Sequence, residues 1–407
     1  MSKQSNLIPI FAYILSALFL CYEMGLQAAT GVMTHDLMSD FNINARMIGT
    51  MHAGYFIAYT AMQIPAGVLF DKYSTRILLS LAIFLCSIGC LIFAISENFW
   101  IAVAARFLEG LGSAFAFIGT LVVAARWFDT KWFALLVGIA QALAAVGAMS
   151  AGAPLALAVN YYGWRETLVC ISIFGLLLIP FVWVVLKQNF AKSSTSKNTL
   201  NNLKSIITNK KILYIALYAF FSWGPITIFA ELWGESFLVK KLPVSIAYAG
   251  GMVAMIWIGL IVASPIVAWF SETIHNRTSP AKWLAFIGVI ATAVLIYYPG
   301  YEWIMWLFLF LFGVAASGQI LTFAIINDTQ KKEILGTAIG FINMALVAGG
   351  AILGPLASNL LHQNWQGELV NNAPNYQLIN YQESLIILPI CYLLAFLISK
   401  FKIKHNN

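Results

Sequence analysis

Charged side chains are scarce in this sequence. Lys, Arg, Asp and Glu make up 10% of its 407 residues, whereas hydrophobic residues make up 61%. Soluble domains contain about 25% charged and about 45–50% apolar residues, so a soluble fold cannot hide this much apolar surface from water. The outer surface is therefore expected to face lipid. The length also leaves no room for a large soluble domain beside the membrane-spanning part.

Cysteine is equally scarce, and the common enzyme signatures are missing. The five cysteines all fall in apolar runs, without a nearby histidine or second cysteine pair. This placement indicates buried, inert thiols rather than a metal site or a disulfide. The sequence has no phosphate-binding P-loop, no HExxH motif and no nucleophile elbow. We therefore expect neither an ATP-driven pump nor an enzyme, and no bound metal or cofactor.

Long apolar runs follow one another along the whole chain. A membrane-spanning helix needs about 20 apolar residues, and twelve such runs occur. They cover residues 7–29, 47–70, 77–95, 99–125, 133–158, 167–187, 211–238, 244–270, 282–299, 302–326, 334–361 and 384–401. The first run is too long for a signal peptide, so it is interpreted as the first span. The fold prediction is an all-α membrane protein with twelve transmembrane helices.

The polar stretch 188–210 divides these runs into two sets of six. It predicts an N-terminal bundle at 1–187, a linker at 188–210 and a C-terminal bundle at 211–407. Twelve spans put both termini and the linker on the same side of the membrane. Of the 23 Lys and Arg residues, 18 lie on that side. Basic residues favour the cytoplasmic side, so both termini and the linker are predicted to be cytoplasmic. The net charge of +7 is thereby explained by orientation, and no nucleic-acid partner is expected.

The two halves repeat each other. Three glycines of the fifth run recur in the eleventh with an offset of 202 residues: Gly138, Gly147 and Gly152 against Gly340, Gly349 and Gly354. Asp71 and Arg76, after the second run, recur after the eighth as Glu272 and Arg277. Together these matches indicate a duplicated six-helix unit. Such a duplication is one basis for alternating access, with a substrate site between the halves.

Three motifs carry a family resemblance. The stretches 67–76 (GVLFDKYSTR), 106–112 (RFLEGLG) and 163–165 (GWR) together resemble the major facilitator superfamily of transporters. Two positions depart from its common pattern, Ser74 where glycine is usual and Glu109 where glutamine is usual. The resemblance implies two pseudo-symmetric six-helix bundles that transport a small molecule by alternating access.

The first motif predicts a gate at the cytoplasmic face. An acid at the end of a helix can pair with basic groups or with a helix N-terminus and hold one conformation closed. The predicted gating residues are the motif positions and their repeat equivalents: Gly67, Asp71, Lys72, Arg76, Glu272 and Arg277. The other interpretation is a stop signal for membrane insertion with solvated charges.

The second motif places an arginine inside the membrane. At 1.5 Å per residue, Arg106 lies about 10 Å below the outer end of its span, and Glu23 lies about 9 Å below that of the first. Glu109 is three residues from Arg106 and shares its helix face. An intramembrane arginine should face the interior and have a partner, so we expect all three in one layer.

This layer has two interpretations. In the functional one, Arg106 binds a substrate carboxylate or phosphate, while Glu23 or Glu109 exchanges a proton. Burial favours the protonated carboxyl and a neighbouring cation favours the ionised one, so substrate and acid compete for Arg106. In the structural one, an ion pair only fastens the first and fourth spans together.

Other polar and aromatic positions extend the predicted site. Candidates for substrate contact are Gln27, Tyr55, Trp223, Gln319 and Asn343, and His52 is a further candidate for proton exchange. The sequence Trp223-Gly224-Pro225 predicts a hinge or broken segment in the seventh span. Glu231 and Glu235, near the outer end of that span, are expected on a solvated rim.

The predicted function is proton-coupled uptake of a small anionic or zwitterionic metabolite, such as an organic acid, an amino acid or a short peptide. Proton-antiport efflux of drugs or amphipathic compounds is the alternative. A third interpretation, a sensor on a transporter scaffold, predicts a large regulatory extension, and both tails are short. We expect a monomer in a bacterial cytoplasmic membrane, powered by the proton gradient, with the substrate and the bilayer as its partners.

Overall fold

The computed structural model describes residues 7–187, 205–299, 301–330 and 332–402. Twelve helices in these ranges are long and apolar enough to cross a membrane. Their ends lie close to those of the predicted runs: the third span is Thr75–Ile95 and the sixth is Trp164–Val185. The predicted all-α membrane fold with twelve spans is confirmed.

Polar residues at the ends of apolar runs set several helix boundaries. Asn98 caps the fourth span, because its side-chain oxygen accepts hydrogen bonds from the N–H groups of Trp100 and Ile101. Asn209 and Ser245 cap the helices that follow them in the same way. A cap satisfies backbone donors that the first helical turn leaves without partners. These short polar side chains therefore mark where each helix begins.

The first compact unit lies within residues 1–29 and 54–195. Its helices are α1 (Leu7–Ala28), the part of α3 (Ala45–Lys72) from Gly54 onward, α4 (Thr75–Ile95), α5 (Phe99–Ser113), α6 (Ala116–Trp127), α7 (Thr130–Ser150), α8 (Ala153–Tyr162) and α9 (Trp164–Val185). Close helix pairs in this unit are α4 with α9, α4 with α5, and α1 with α7.

The second compact unit lies within residues 30–53 and 196–407. It contains α2 (Thr30–Asp40), the first part of α3, α10 (Lys210–Ile228), a π-helical segment (Phe229–Trp233), α11 (Gly234–Lys241), α12 (Ile246–Thr273), α13 (Thr278–Tyr297), α14 (Glu302–Ala316), α15 (Gln319–Thr329), α16 (Lys332–Gln363), α17 (Leu378–Leu385) and α18 (Ile387–Phe401). A hairpin of two short antiparallel strands, β1 (Leu369–Val370) and β2 (Ala373–Pro374), precedes α17. In this unit α2 packs on the π-helical segment, α11 and β2. The predicted domain boundaries at 187 and 211, which follow the duplication, stay a prediction.

Helix interruptions recur with the offset of the repeat. The break between α1 and α2 at Ala29 matches the π-helical segment 202 residues later. The break between α5 and α6 at residues 114–115 matches that between α14 and α15 at residues 317–318, with an offset one residue larger. The repeat fails at residues 151–152, which separate α7 from α8, because α16 runs unbroken through Gly354.

The repeated glycines include one pair with a clear packing role. A methyl group on Gly147 would collide with the Cys21 carbonyl oxygen of α1. A methyl group on Gly349 would lie 2.6 Å from the Cα of Gly224 in α10. The two positions are equivalent, and each lets two helix backbones approach closely. Gly138, by contrast, has nothing within 4 Å of its missing side chain.

The five cysteines all lie in the described ranges and are free thiols. Cys86, Cys90 and Cys391 are buried, and Cys21 is partly buried. Cys170 is exposed on α9, so the expectation of burial is wrong for that residue. An apolar run did not mean burial here, because one face of α9 points away from the rest of the unit. A thiol is apolar enough to lie on such a face.

Candidate functional site

A buried ion pair lies on α5. Arg106 and Glu109 are 2% and 1% exposed, and the Arg106 Nη1 to Glu109 Oε2 distance is 2.5 Å. Arg106 Nη1 also donates a hydrogen bond of 3.0 Å to the backbone carbonyl of Leu26 on α1. The three-residue spacing puts both side chains on one helix face, as the sequence predicted.

Tyr55 links this pair to α1. Its hydroxyl donates to Glu23 Oε1 at 2.8 Å and lies 3.5 Å from Gln27 Oε1. The guanidinium carbon of Arg106 lies 4.7 Å from the centre of the Tyr55 ring, within the range of a cation–π interaction. Glu23, Gln27, Tyr55, Arg106 and Glu109 therefore form one group, which we name the Arg106 cluster. The predicted meeting of Glu23, Arg106 and Glu109 in one layer is found.

Two glycines allow the helices to close around this cluster. A methyl group on Gly110 would collide with the backbone oxygen of Tyr55, so α3 and α5 touch directly. A methyl group on Gly89 would lie 2.8 Å from Cγ of Glu109, so α4 covers that side chain. Only residues without a side chain fit such close backbone approaches. The cluster is thus held rigidly between α1, α3, α4 and α5.

The cluster has more hydrogen-bonding capacity than it uses. Among the described residues, Nε and Nη2 of Arg106 and Oε1 of Glu109 have no hydrogen-bond partner. A guanidinium carries five N–H donors in a planar fork that suits a carboxylate. Two carboxylates and one guanidinium would also leave a net charge of −1 in a buried site if both acids were ionised. Chemically, this arrangement can hold a proton on one acid and can receive a further anion on Arg106.

The remaining predicted binding residues lie in the second unit. Trp223 is buried on α10, with its ring centre 6.2 Å from that of Trp257. Gln319 is buried at the start of α15, and Asn343 is partly buried on α16. His52 is fully buried beside Gly354, where an added methyl group would lie 2.8 Å from His52 Cδ2. These four residues belong to the second unit and the Arg106 cluster belongs to the first, and the roles assigned to all of them stay predictions.

The predicted gating residues of the second unit form an ion-pair network. Arg277 pairs with Glu272 through Nη2, and its Nε lies 3.2 Å from Asp328 Oδ2. Its Nη1 donates to Ser271 Oγ at 2.8 Å. Partial burial acts to lower the pKa of Arg277, but the hydrogen bonds and charges of Glu272 and Asp328 outweigh it and raise that pKa. Asp328 was not among the predicted residues.

In the first unit, the equivalent loop joins α3 to α4, and it is held in a different way. Arg126 stands 202 residues before Asp328, and it donates to the Phe70 carbonyl at 2.8 Å and to Thr75 Oγ1 at 3.2 Å. In the first unit, the C-terminal end of the fourth span therefore holds the loop that follows the second span. In the second unit, the C-terminal end of the tenth span holds the loop that follows the eighth. The repeat offset, applied to Arg126 and Asp328, is the sequence signal that identifies both residues.

Four predicted gating positions surround that first loop. Arg76 stacks on Trp183, with its guanidinium carbon 4.3 Å from the ring centre. Lys72 is exposed, and Gly67 has nothing within 4 Å of its missing side chain. The Asp71 side chain lies outside the described part of the chain, so its predicted pairing stays a prediction.

The expected exposure of Glu231 and Glu235 is wrong. Glu231 and Glu235 were expected on a solvated rim, but they are 0% and 2% exposed. Glu231 lies in the π-helical segment and Glu235 in the first turn of α11. The helix α2 packs on both elements. Because α2 covers them, Glu231 and Glu235 are buried although they lie near the end of their span.

Comparison with known proteins gives one family. The family model described as Major Facilitator Superfamily matches residues 15–355. The chain is 21% identical over 360 residues to the hexuronate transporter of Bacillus subtilis, covering 82% of this chain and 83% of that one. It is 24% identical over 366 residues to the probable galactarate/D-glucarate transporter GudP of Bacillus subtilis, covering 78% of each. The crystal structure of a bacterial homologue of the human lysosomal transporter Spinster superposes with a TM-score of 0.75 at 13% identity, covering 98% of each chain.

Proposed function

Because this chain belongs to the Major Facilitator Superfamily, we propose that it is a proton-coupled importer of small carboxylates, with sugar acids as the leading class. It is a multi-pass membrane transporter of small molecules and not an enzyme. The substrate class, the proton coupling and the direction of transport are the proposed parts.

The observation that carries the proposal is the unused donor capacity of Arg106. Its Nε and Nη2 groups have no acceptor among the described residues, although the side chain is 98% buried. Leaving charged donors unsatisfied in a buried site costs free energy that a ligand carboxylate would recover. A guanidinium is also better matched to a carboxylate than to a neutral sugar. The residue types of the cluster therefore favour an anionic substrate.

Proton coupling follows from the charge balance of the cluster. Arg106 pairs directly with Glu109, and Tyr55 connects Glu23 to the same cluster, so the ionised form of Glu109 depends on that guanidinium. A substrate carboxylate that binds Arg106 would withdraw it from the acids and favour proton uptake by one of them. Substrate and proton would then bind together, which is the condition for symport. Arginine does not titrate, so the proton must sit on a carboxyl group.

The relatives narrow the class of anion. The similar proteins are named for hexuronate and for galactarate/D-glucarate, which are sugars bearing one or two carboxylates. Aromatic and amide side chains such as those of Tyr55 and Gln27 suit the hydroxyl-rich body of such molecules. The alternative, efflux of amphipathic drugs, has no comparable support from the relatives described above.

The setting proposed for the transporter is a bacterial cytoplasmic membrane. The concentration of basic residues in the loops on the side of both termini supports a cytoplasmic location for the termini. The proton gradient supplies the energy, no cofactor takes part, and one chain forms the complete transport unit. In each unit, the loop held by Arg126 or by the Arg277 network would act as a gating element during alternating access.

The direct test is ligand stabilisation of the purified protein. D-glucuronate and D-glucose form a matched pair, because they differ only at C6, where glucuronate has a carboxylate and glucose has a hydroxymethyl group. We expect D-glucuronate or galactarate to raise the melting temperature by mass action, and D-glucose to leave it unchanged. Loss of this shift in Arg106→Lys, which keeps the charge but not the planar fork, would assign the carboxylate to Arg106. Stabilisation by lipophilic cations alone would overturn the proposal and favour efflux.

A further inference from the structure

Glu235 is a buried acid that the proposed symport mechanism does not use. It lies in the first turn of α11, directly after the π-helical segment, and it is 2% exposed. It belongs to the second unit, whereas Glu23 and Glu109 of the Arg106 cluster belong to the first. A carboxyl group in such a position is costly, so it requires an explanation of its own.

The Glu235 carboxyl group has no cation beside it. It takes part in no ion pair, and its Oε2 has no hydrogen-bond partner, in the described ranges of the chain. The two lysines of the same helix are engaged elsewhere. Lys240 donates to Asn375, and Lys241 donates to the carbonyl groups of Leu295 and Ile296.

The backbone of α2 covers the carboxyl group. A methyl group on Gly31 would lie 2.7 Å from Glu235 Oε2, so the glycine is what allows this contact. Three residues further along α2, the Thr34 hydroxyl lies 2.8 Å from the Ser236 hydroxyl and fixes the two helices together. An ionised carboxylate closed off in this way would lose its hydration without gaining a counter-charge. A protonated carboxyl avoids most of that cost.

The elements packed against α11 are the π-helical segment, α2, α12 and α17, and their titratable groups are the possible partners of Glu235. Glu231 lies one turn earlier in the π-helical segment and is buried. On α2, His35 is exposed, and burial raises the pKa of Asp36 above its usual value. Tyr381 of α17 packs its ring against Phe237, and Tyr248 of α12 is exposed and bonded to Glu302. Of these groups His35 is the one base, and its exposure makes it a weak counter-charge for a buried acid.

We propose that Glu235 is a second proton-binding site, which holds its proton while α2 is packed on α11 and releases it to water when that contact opens. The ligand is a proton, and the step is a simple acid dissociation of the carboxyl O–H bond. The packed state of α2 and α11 is then favoured by low pH, and the open state by high pH. This proposal is independent of the substrate and of Arg106.

The test combines spectroscopy with thermal unfolding in the absence of substrate. The infrared difference between wild type and Glu235→Gln is expected to contain the carbonyl band of a protonated carboxyl group at neutral pH. Glu231→Gln is the matched control, one turn away on the same face. The melting temperature of the wild type is expected to fall as pH rises from about 6 to about 9, because the unfolded chain releases the proton that the folded protein holds. Glu235→Gln should lose this fall.

A second variant covers the case in which Glu235→Gln does not fold. Gly31→Ala places a methyl group against Oε2 and should open the contact, so the protonated band should disappear at a lower pH than in the wild type. An ionised-carboxylate band for Glu235, or an unchanged pH slope in Glu235→Gln, would overturn the proposal. Arg106→Lys is expected to keep the band, which separates this site from the anion site.

Discussion

The hydroxyl oxygens of Thr34 and Ser236 lie 2.8 Å apart. These residues are 202 positions apart in the chain, which is the offset of the duplicated unit, so equivalent positions of the repeat meet each other. Each follows a helix interruption, at Ala29 for Thr34 and at the π-helical segment for Ser236. The duplication thus supplies both partners of one contact. This contact also holds α2 over Glu235.

A double-mutant cycle should detect the Thr34–Ser236 hydrogen bond. We expect Thr34→Val and Ser236→Ala to be non-additive, with a coupling energy of about 1 kcal/mol, as for a typical intramolecular hydrogen bond. Chemical denaturation of the two single variants and the double variant measures it. The control cycle combines Thr292→Val with Ser236→Ala and should be additive, since the Thr292 hydroxyl donates to the Gly288 carbonyl of its own helix. Additive effects of the two substitutions would show that the hydroxyl contact is absent.

Tyr55→Phe removes the hydroxyl that orients Glu23. Loss of a hydrogen bond to a charged group costs about 1.5–3 kcal/mol, and we expect a destabilisation in that range together with slower proton-driven uptake. Tyr13→Phe removes a buried hydroxyl bond of 2.5 Å to the Leu136 carbonyl in the same unit. It should lower stability but leave the pH dependence of uptake unchanged. If both variants behave alike, Tyr55 has only a structural role.

Two glycines of α7 should respond in opposite ways to the same substitution. Gly147→Ala pushes a methyl group into the Cys21 carbonyl and should destabilise the protein by about 1–3 kcal/mol, as overpacking does. Gly138→Ala meets open space and should be neutral or stabilising by about 0.5–1 kcal/mol, because alanine favours the helix. Thermal unfolding of both variants decides. Equal effects would contradict the close α1–α7 contact.

The Arg277 network should affect transport more than stability. Arg277 and its partners Glu272 and Asp328 are partly or largely exposed, so Arg277→Gln should cost less than about 1 kcal/mol in stability. If the network acts as a gate, the same variant should slow turnover several-fold. Arg165→Gln is the control, since Arg165 belongs to the other unit and binds the carbonyl groups of Ala94 and Ser96. Normal turnover in Arg277→Gln would assign the network to membrane topology instead.

The spans and the Arg106 cluster were accessible from the sequence for simple reasons. Hydropathy locates the spans, because a helix that crosses the bilayer needs about 20 apolar residues. Polar capping residues then mark several of the helix ends. Arg106 and Glu109 were expected together because three residues make nearly one helical turn. Glu23 joined them because its depth, counted from the outer end of its span, was similar.

Other features depend on how separate helices are placed in register. Tyr55 was a candidate, but its bond to Glu23 depends on a backbone contact at Gly110 that no periodicity reveals. Glu235 was expected on the rim because it stands near the end of its span, whereas α2 extends over it. The hinge or break expected at Trp223-Gly224-Pro225 is not found, because α10 continues through Pro225 to Ile228, and the π-helical segment begins only at Phe229.

Uptake of D-glucuronate into proteoliposomes, with an inward proton gradient, tests the central claim most directly. We predict accumulation above equilibrium in the wild type, abolished by collapsing the gradient, and at least a tenfold loss in Arg106→Lys. One of the two variants Glu23→Gln and Glu109→Gln, the one that removes the proton-carrying acid, should still exchange substrate across the membrane but should no longer accumulate it against the gradient. Accumulation that ignores the proton gradient, or that survives in Arg106→Lys, would contradict the account.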